Sequence, residues 1–152
     1  MFGPISCSSP TLPLSGRYDN DRQVNWNIFV AAYHAGVLRL RDGAAVEQIF
    51  DAWLAELPRH RASAKTLLAE HAIDSWSDRK KVPQWQVHTT NMMGGRPVGP
   101  LKQGTTVNFE PIASVDSQGF FLEDMYLITS DGAELLTPGV PYSSKDIEAA
   151  TR

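Results

Sequence analysis

The run Phe120–Phe121–Leu122–Glu123–Asp124–Met125–Tyr126–Leu127–Ile128 constrains this chain more than any other. It has the apolar and aromatic make-up of a strand, yet it holds two adjacent carboxylates. Side chains alternate between strand faces, so Glu123 goes with Phe121, Met125 and Leu127, and Asp124 with Leu122, Tyr126 and Ile128. If both faces are covered, one of the two acids must point inward. A further acid, Glu110, stands in the preceding β-like run between Phe109 and Pro111. A carboxylate placed this way is costly unless its charge is compensated. A divalent cation is one charge partner, and an Arg or Lys is the other.

The rest of the chain supplies helices before these strands. Val24, Ile28, Ala31, Ala32, Ala35 and Leu38 recur at helical spacing from about Asp21 to Arg41, with Asp21 or Asn20 as the expected N-cap. Val46, Ile49, Phe50, Trp53, Leu54 and Leu57 line one face of a second helix that stops at Pro58, and residues 61–73 are expected to form a third. Residues 84–90, 105–115 and 120–129 read as strands. Asp131–Gly132 is the turn into a last short strand, and the tail from Pro138 is expected to be irregular. Residues 1–20, rich in Pro, Ser and Gly, read as an extended segment with a short strand in Phe2–Cys7. Helices followed by an antiparallel sheet give an α+β fold. At 152 residues the chain is read as one domain with its own core.

Composition sets outer bounds. A net charge of −3 offers no general attraction to nucleic acid or to an anionic membrane, and no apolar run approaches the roughly 20 residues of a transmembrane helix. The lone cysteine, Cys7, excludes an intrachain disulfide and fits a reducing cytoplasm, and the first residues lack the pattern of a secretory signal.

The segment from Leu101 to Thr137 resembles the end of the pita-bread superfamily, which includes creatinase, prolidase, aminopeptidase P and methionine aminopeptidase. The resemblance rests on the Leu101–Gly104 turn, Glu110–Pro111, Glu123–Asp124, the Thr129–Gly132 turn and the closing Leu136–Thr137. The stretch from Tyr33 to Leu57 is similar to the superfamily's two helices and the turn between them, and the stretch from Trp85 to Pro97 to its His-bearing strand and loop.

What the resemblance implies is a partial pita-bread domain, the C-terminal portion of that fold, with helices on a curved antiparallel sheet. Members commonly bind two divalent metals through two Asp, one His and two Glu. By the same resemblance His88, Glu110 and Glu123 match the His and the two Glu, with His88 and Glu110 as the catalytic pair. The place of the first Asp, before Phe2–Gly3, is taken by Met1; the second Asp is represented by Asp21, or by Asp19. Thr89, Thr90 and Asn91 replace the usual glycines around the His, and Gly95 and Arg96 fall where a substrate-contacting His and its acidic neighbour stand. The expectation is a creatinase- or aminopeptidase-like hydrolase of an amide, peptide or other C–N bond. It would use one ion of manganese, iron, cobalt or zinc, or none, on a small-molecule or peptide substrate. Two other readings stand beside it: a metal-free module binding a peptide or protein partner, and a repurposed lyase or cyclase in small-molecule biosynthesis. Because the chain covers part of the repeat, a homodimer or a partner subunit is expected to complete the fold.

The remaining conspicuous residues have plainer readings. His34, His60 and His71 are expected at the surface or the core edge, and the four tryptophans, Trp85 included, in the core or an interface. Cys7 lacks the sequence context of a nucleophile, and the loop Gly94–Gly99 lacks the strand–loop–helix frame of a phosphate site.

Overall fold

The computed structural model describes residues 9–10, 15–81, 87–89 and 95–151. The expected strand in Phe2–Cys7, Cys7 itself, Met1, Trp85, Thr90 and Asn91 lie outside the described residues. The elements in chain order are β1 (Ser9–Pro10), α1 (Asn20–Val37), α2 (Val46–Glu56), a 3-10 turn (Leu57–His60), α3 (Leu67–Trp76), β2 (Val87–Thr89), β3 (Thr106–Phe109), β4 (Ile112–Val115), β5 (Gln118–Ile128), β6 (Ala133–Leu135) and α4 (Ser144–Ala150). This is the expected α+β order. No helix of the described residues is long and apolar enough to cross a membrane.

The 11-residue β5 organises the sheet. It pairs antiparallel with β1, β3, β4 and β6, and β2 adds to the free side of β3. Strands β3 and β4 share one register against β5. Phe109 faces Asp124 and Ile112 faces Phe121, so the intervening Glu110 and Pro111 fall opposite Glu123 and Leu122. Pro111 contributes no N–H to the ladder, but its carbonyl accepts from Leu122 N–H at 3.4 Å. The expected single strand over 105–115 is therefore two strands hinged at Glu110–Pro111. The hairpin closes through Asp116 and Ser117, with Asp116 at φ 50°, a left-handed conformation that aspartate tolerates better than most residues.

Alternation along β5 resolves the tandem acids. Phe120, Leu122, Asp124, Tyr126 and Ile128 are buried toward the helices, while Glu123 and Met125 are buried on the other face. The helix-side core is aromatic. Phe29 meets Trp53 edge-on at 5.0 Å and Trp76 at 5.7 Å, and Trp76 meets Phe120 at 5.1 Å. Trp26, Trp53 and Trp76 are thus core residues, and the indoles of Trp26 and Trp76 donate to Tyr142 O and Ser114 O.

Several local expectations need correction. Helix α1 is capped by Asp19, whose carboxylate accepts from Arg22 N–H, and it ends at Val37 rather than Arg41. Its buried face holds the expected Ile28 and Ala32 together with Asn25, Trp26, Phe29, Tyr33 and Gly36, while Leu38, expected on that face, is 81% exposed. Trp26, Phe29 and Tyr33 extend the buried face beyond the expected stripe because aromatic side chains bury more area than alanines. Helix α3 starts at Leu67 rather than residue 61, because Thr66 caps it through Ala69 N–H, and it runs on to Trp76. The tail is not wholly irregular: Ser143 caps the seven-residue α4, whose Ile147 is fully buried.

Gly36 sets the distance between α1 and the sheet. A Cβ there would lie 2.7 Å from the Phe109 ring, which stacks on Tyr33 at 4.9 Å. Gly36→Ala gains about 1 kcal/mol in helix propensity but loses about 1–3 kcal/mol to overpacking. A net loss is expected, read as a lower urea midpoint at unchanged slope.

Candidate metal centre

Strand β3 sorts its residues between two chemistries. Phe109 points to the helices, so Asn108 and Glu110 on either side of it point to the opposite face. That face also receives His88, the cross-strand partner of Asn108, and Glu123 from β5. One ligand atom from each of His88, Glu110 and Glu123 lies within 4.8 Å of the others. His88 Nε2 is 2.9 Å from Glu110 Oε2 and 3.6 Å from Glu123 Oε1. The side chains of His88 and Glu110 are 22% and 20% exposed and that of Glu123 is 9% exposed, so the group is shielded yet reachable.

The structure does not bring Asp21 to this group. Asp21 sits in the first turn of α1, beside the capping Asp19. That end of the helix is tied to the C-terminal segment, through Gln23 to Ser144 and Tyr18 N–H to Glu148, and not to the sheet face that carries His88. Arg96, which stands where an acid was expected from the resemblance, forms an ion pair with Glu47 of α2. His34 and His71 are exposed, and His60 bonds to Glu56.

The protonation pattern inside the group suits a cation. His88 Nδ1 lies 3.1 Å from Thr89 O, and a carbonyl can only accept, so the tautomer with its hydrogen on Nδ1 donates there. In that neutral tautomer the lone pair of Nε2 is aimed at two carboxylates. Without an ion the 2.9 Å contact to Glu110 is a hydrogen bond when the ring hydrogen sits on Nε2 instead, or when both nitrogens carry one. A divalent ion satisfies the same three lone pairs without a hydrogen on Nε2. The cross-strand opposition of Glu110 and Glu123 makes the same demand, since like charges facing each other on a sheet destabilise it. Burial and the Glu110 carboxylate push the Glu123 carboxyl above its usual range, while Asn108 and His88 pull it back. One imidazole and two carboxylates match the donors that manganese, iron(II), cobalt and zinc accept. The residues present therefore fit a divalent ion.

A raised Glu123 has a defined consequence for the metal-free protein. A carboxyl with a folded pKa above its unfolded one adds stability below the unfolded value and loses it as pH rises through the folded value. In chelator, Glu123→Gln is expected to melt higher than the wild type at pH 7. The difference should close as pH falls into the ordinary glutamate range, as followed by thermal melts across pH.

Residues absent from the expected set also shape this region. Asn108 is 2% exposed and its Nδ2 donates to Glu123 Oε1 at 2.8 Å. Its signal in the sequence is an asparagine inside Thr-Val-Asn-Phe, a poor strand former where a β-branched residue fits better. On the helix side, Asp124 accepts from Tyr33, Tyr142 and Thr137 hydroxyls at 2.9, 2.7 and 3.0 Å, and Tyr33 also bonds Tyr126 at 2.9 Å. Burial raises the phenols of Tyr33, Tyr126 and Tyr142, which keeps them available as donors. The charge partners of the tandem acids are thus different on the two faces: hydroxyls for Asp124, and an imidazole, an amide and a second acid for Glu123.

No protein-family model matches the sequence. Xaa-Pro aminopeptidase 1 of Streptomyces coelicolor is 25% identical over 166 aligned residues, covering 91% of this chain and 33% of that protein. The chain thus spans about a third of the length of the curated relatives it matches. Pseudomonas aeruginosa aminopeptidase PepP superposes with a TM-score of 0.69 at 22% identity, covering 97% of this chain and 38% of the other. Zinc-substituted Escherichia coli aminopeptidase P in complex with product gives 0.71 at 19% identity, covering 95% and 38%. The described helices and antiparallel sheet are accordingly those of the C-terminal pita-bread-like domain of aminopeptidase P, and this chain has that fold.

Proposed function

We propose that the chain carries the ligand-bearing part of a metal-dependent hydrolase that cleaves a peptide or other amide bond. The observation that carries this reading is the convergence of His88 Nε2, Glu110 and Glu123 with their lone pairs facing one another. His88, Glu110 and Glu123 would hold one divalent ion. When bound, that ion would supply a Lewis acid for the amide carbonyl and a lowered pKa for water. The backbone carbonyl of Thr89 accepts from Nδ1 in the tautomer of His88 whose Nε2 lone pair faces the group. A hydrogen on Nε2, shared with Glu110, would have to leave that nitrogen before it could bind the ion. The likeness to Xaa-Pro aminopeptidase 1 supports a peptide substrate class.

Metal content of the purified protein, measured beside His88→Ala, together with hydrolysis of a panel of Xaa-Pro and other dipeptides, tests the proposal. About one equivalent of metal in the wild type, little in the variant, and turnover that follows metal content are expected. Hydrolysis that persists in His88→Ala after chelation overturns it. A second reading, a module that binds a peptide without cleaving it, is favoured by Arg96, which is engaged with Glu47 rather than offering an acid to the site. Peptide binding without turnover in the metal-loaded protein would select it. We also propose that the chain works in the cytoplasm, as a homodimer or with a partner subunit completing the fold. A stable monomer in sedimentation removes the assembly part.

A further inference from the structure

We propose that Asn108 is a fourth ligand to the ion, a neutral amide oxygen that biases the site toward hard cations such as manganese over zinc. The inference rests on the metal reading above. Asn108 lies on the site face by register, since its cross-strand partners are His88 on one side and Met125 on the other. Its Nδ2 is engaged with Glu123 Oε1, the oxygen that sits 3.6 Å from His88 Nε2. Its Oδ1 is buried and has no hydrogen-bond partner among the described residues.

The orientation of this amide is chemically determined. Turning it over would set Oδ1 against a carboxylate oxygen and lose the one bond the side chain makes. A buried carbonyl left without a donor is a defect that native proteins rarely keep without reason. A cation or its bound water supplies what Oδ1 lacks.

Charge points the same way. Two glutamates already balance a divalent ion, so a third carboxylate would overcharge the metal-free site, whereas an amide adds an oxygen without adding charge. Carbonyl and carboxylate oxygens suit magnesium, calcium and manganese, and imidazole and thiolate suit zinc. An amide used only to orient Glu123 would act through Nδ2 and would not discriminate between ions.

The test is calorimetric titration of the chelator-stripped protein with manganese chloride and with zinc chloride, paired with thermal melts. It compares the wild type with Asn108→Leu and Asn108→Asp. In Asn108→Leu, which removes the unpaired oxygen at similar volume, the manganese dissociation constant is expected to rise at least tenfold and the zinc constant by much less. Asn108→Asp is expected to melt lower than the wild type in chelator and to gain more on adding manganese, because a carboxylate is tolerated there only beside a cation. If Asn108→Leu does not fold, Asn108→Asp alone decides. Equal weakening toward both ions in Asn108→Leu, or weaker manganese binding in Asn108→Asp, overturns the inference while leaving the metal site standing. A wild type that binds neither ion overturns both.

Discussion

Manganese, zinc or iron(II) at a hundredfold excess over its dissociation constant is expected to raise the melting temperature, and Glu110→Gln to remove most of that rise. An ion that binds only the native state adds about 2.7 kcal/mol at that excess. For a chain of this size that corresponds to about 5–10 °C. Glu110 matters most because it supplies the 2.9 Å contact to His88 and lies opposite Glu123 in the hairpin. An amide at that position keeps the shape and removes the charge that the ion would meet. The pH dependence has opposite signs with and without metal. Loading requires ionised glutamates and an unprotonated His88 Nε2, so the gain shrinks as pH falls. The metal-free protein moves the other way in this region, because the raised Glu123 carboxyl favours the folded state when protonated. Melting curves with metal and with chelator should therefore converge on acidification. Superimposable curves at every pH would remove the ion from the account of this fold.

Asp124→Ala is expected to be the most damaging single substitution on the helix side, at about 3 kcal/mol. Asp124 is 0% exposed and takes three hydroxyl hydrogens at once. Each buried donor left without an acceptor costs about 1–3 kcal/mol. The full sum is not reached, because Tyr33 retains its bond to Tyr126 and Thr137 still accepts from Met125 N–H. Asp124→Asn should cost less, since one acceptor oxygen remains but the new amide N–H points at hydroxyl donors. Tyr142→Phe removes the bond to Asp124 and a hydroxyl contact with Tyr126, leaves the other two donors to Asp124 in place, and should cost about 1 kcal/mol. Urea unfolding with constant slope gives the order Ala, Asn, then Phe. The effect should reach the site as well. Thr137, held by Asp124, accepts from the backbone N–H of Met125, two residues from Glu123, so Asp124→Ala is also expected to weaken metal binding.

The strands were legible because β5 and its partner carry long apolar alternation, and because Glu110–Pro111 and Glu123–Asp124 are local signals. The second helix was legible for the same reason, since Val46, Ile49, Phe50 and Trp53 lie on one stripe. Other features depend on residues far apart in the chain. The hydroxyl shell of Asp124 comes from residues 33, 137 and 142, and no short window contains it. The contact of Gly36 with Phe109 is of the same kind, and the expected apolar stripe includes the buried Ile28 and Ala32 but not Gly36. Asp21 stands for the second Asp only by the resemblance and only with a longer intervening loop, and the start of α1 follows the C-terminal segment instead. Helix α4 has one fully buried apolar anchor, Ile147, which is too little periodicity to stand out from a tail.

The shared register of β3, β4 and β5 makes Glu123 and Asp124 a hazard during folding. A slip by one residue normally turns a strand's apolar set to the wrong face and is rejected for that reason. Here a slipped β5 would still present an acid to each side, with aspartate at the ligand face and glutamate beneath α1. The acids alone therefore do not discriminate between the two alignments. Rejection of the wrong one falls to the aromatic residues at 120 and 126 and to the two-residue bend at Asp116–Ser117, which admits no spare residue. Lengthening that bend by a single glycine would permit a trapped conformer with a plausible ligand face and an acid driven into the aromatic core. Such a population would refold slowly and could be sorted from the native one by its hydrogen-exchange pattern along β5.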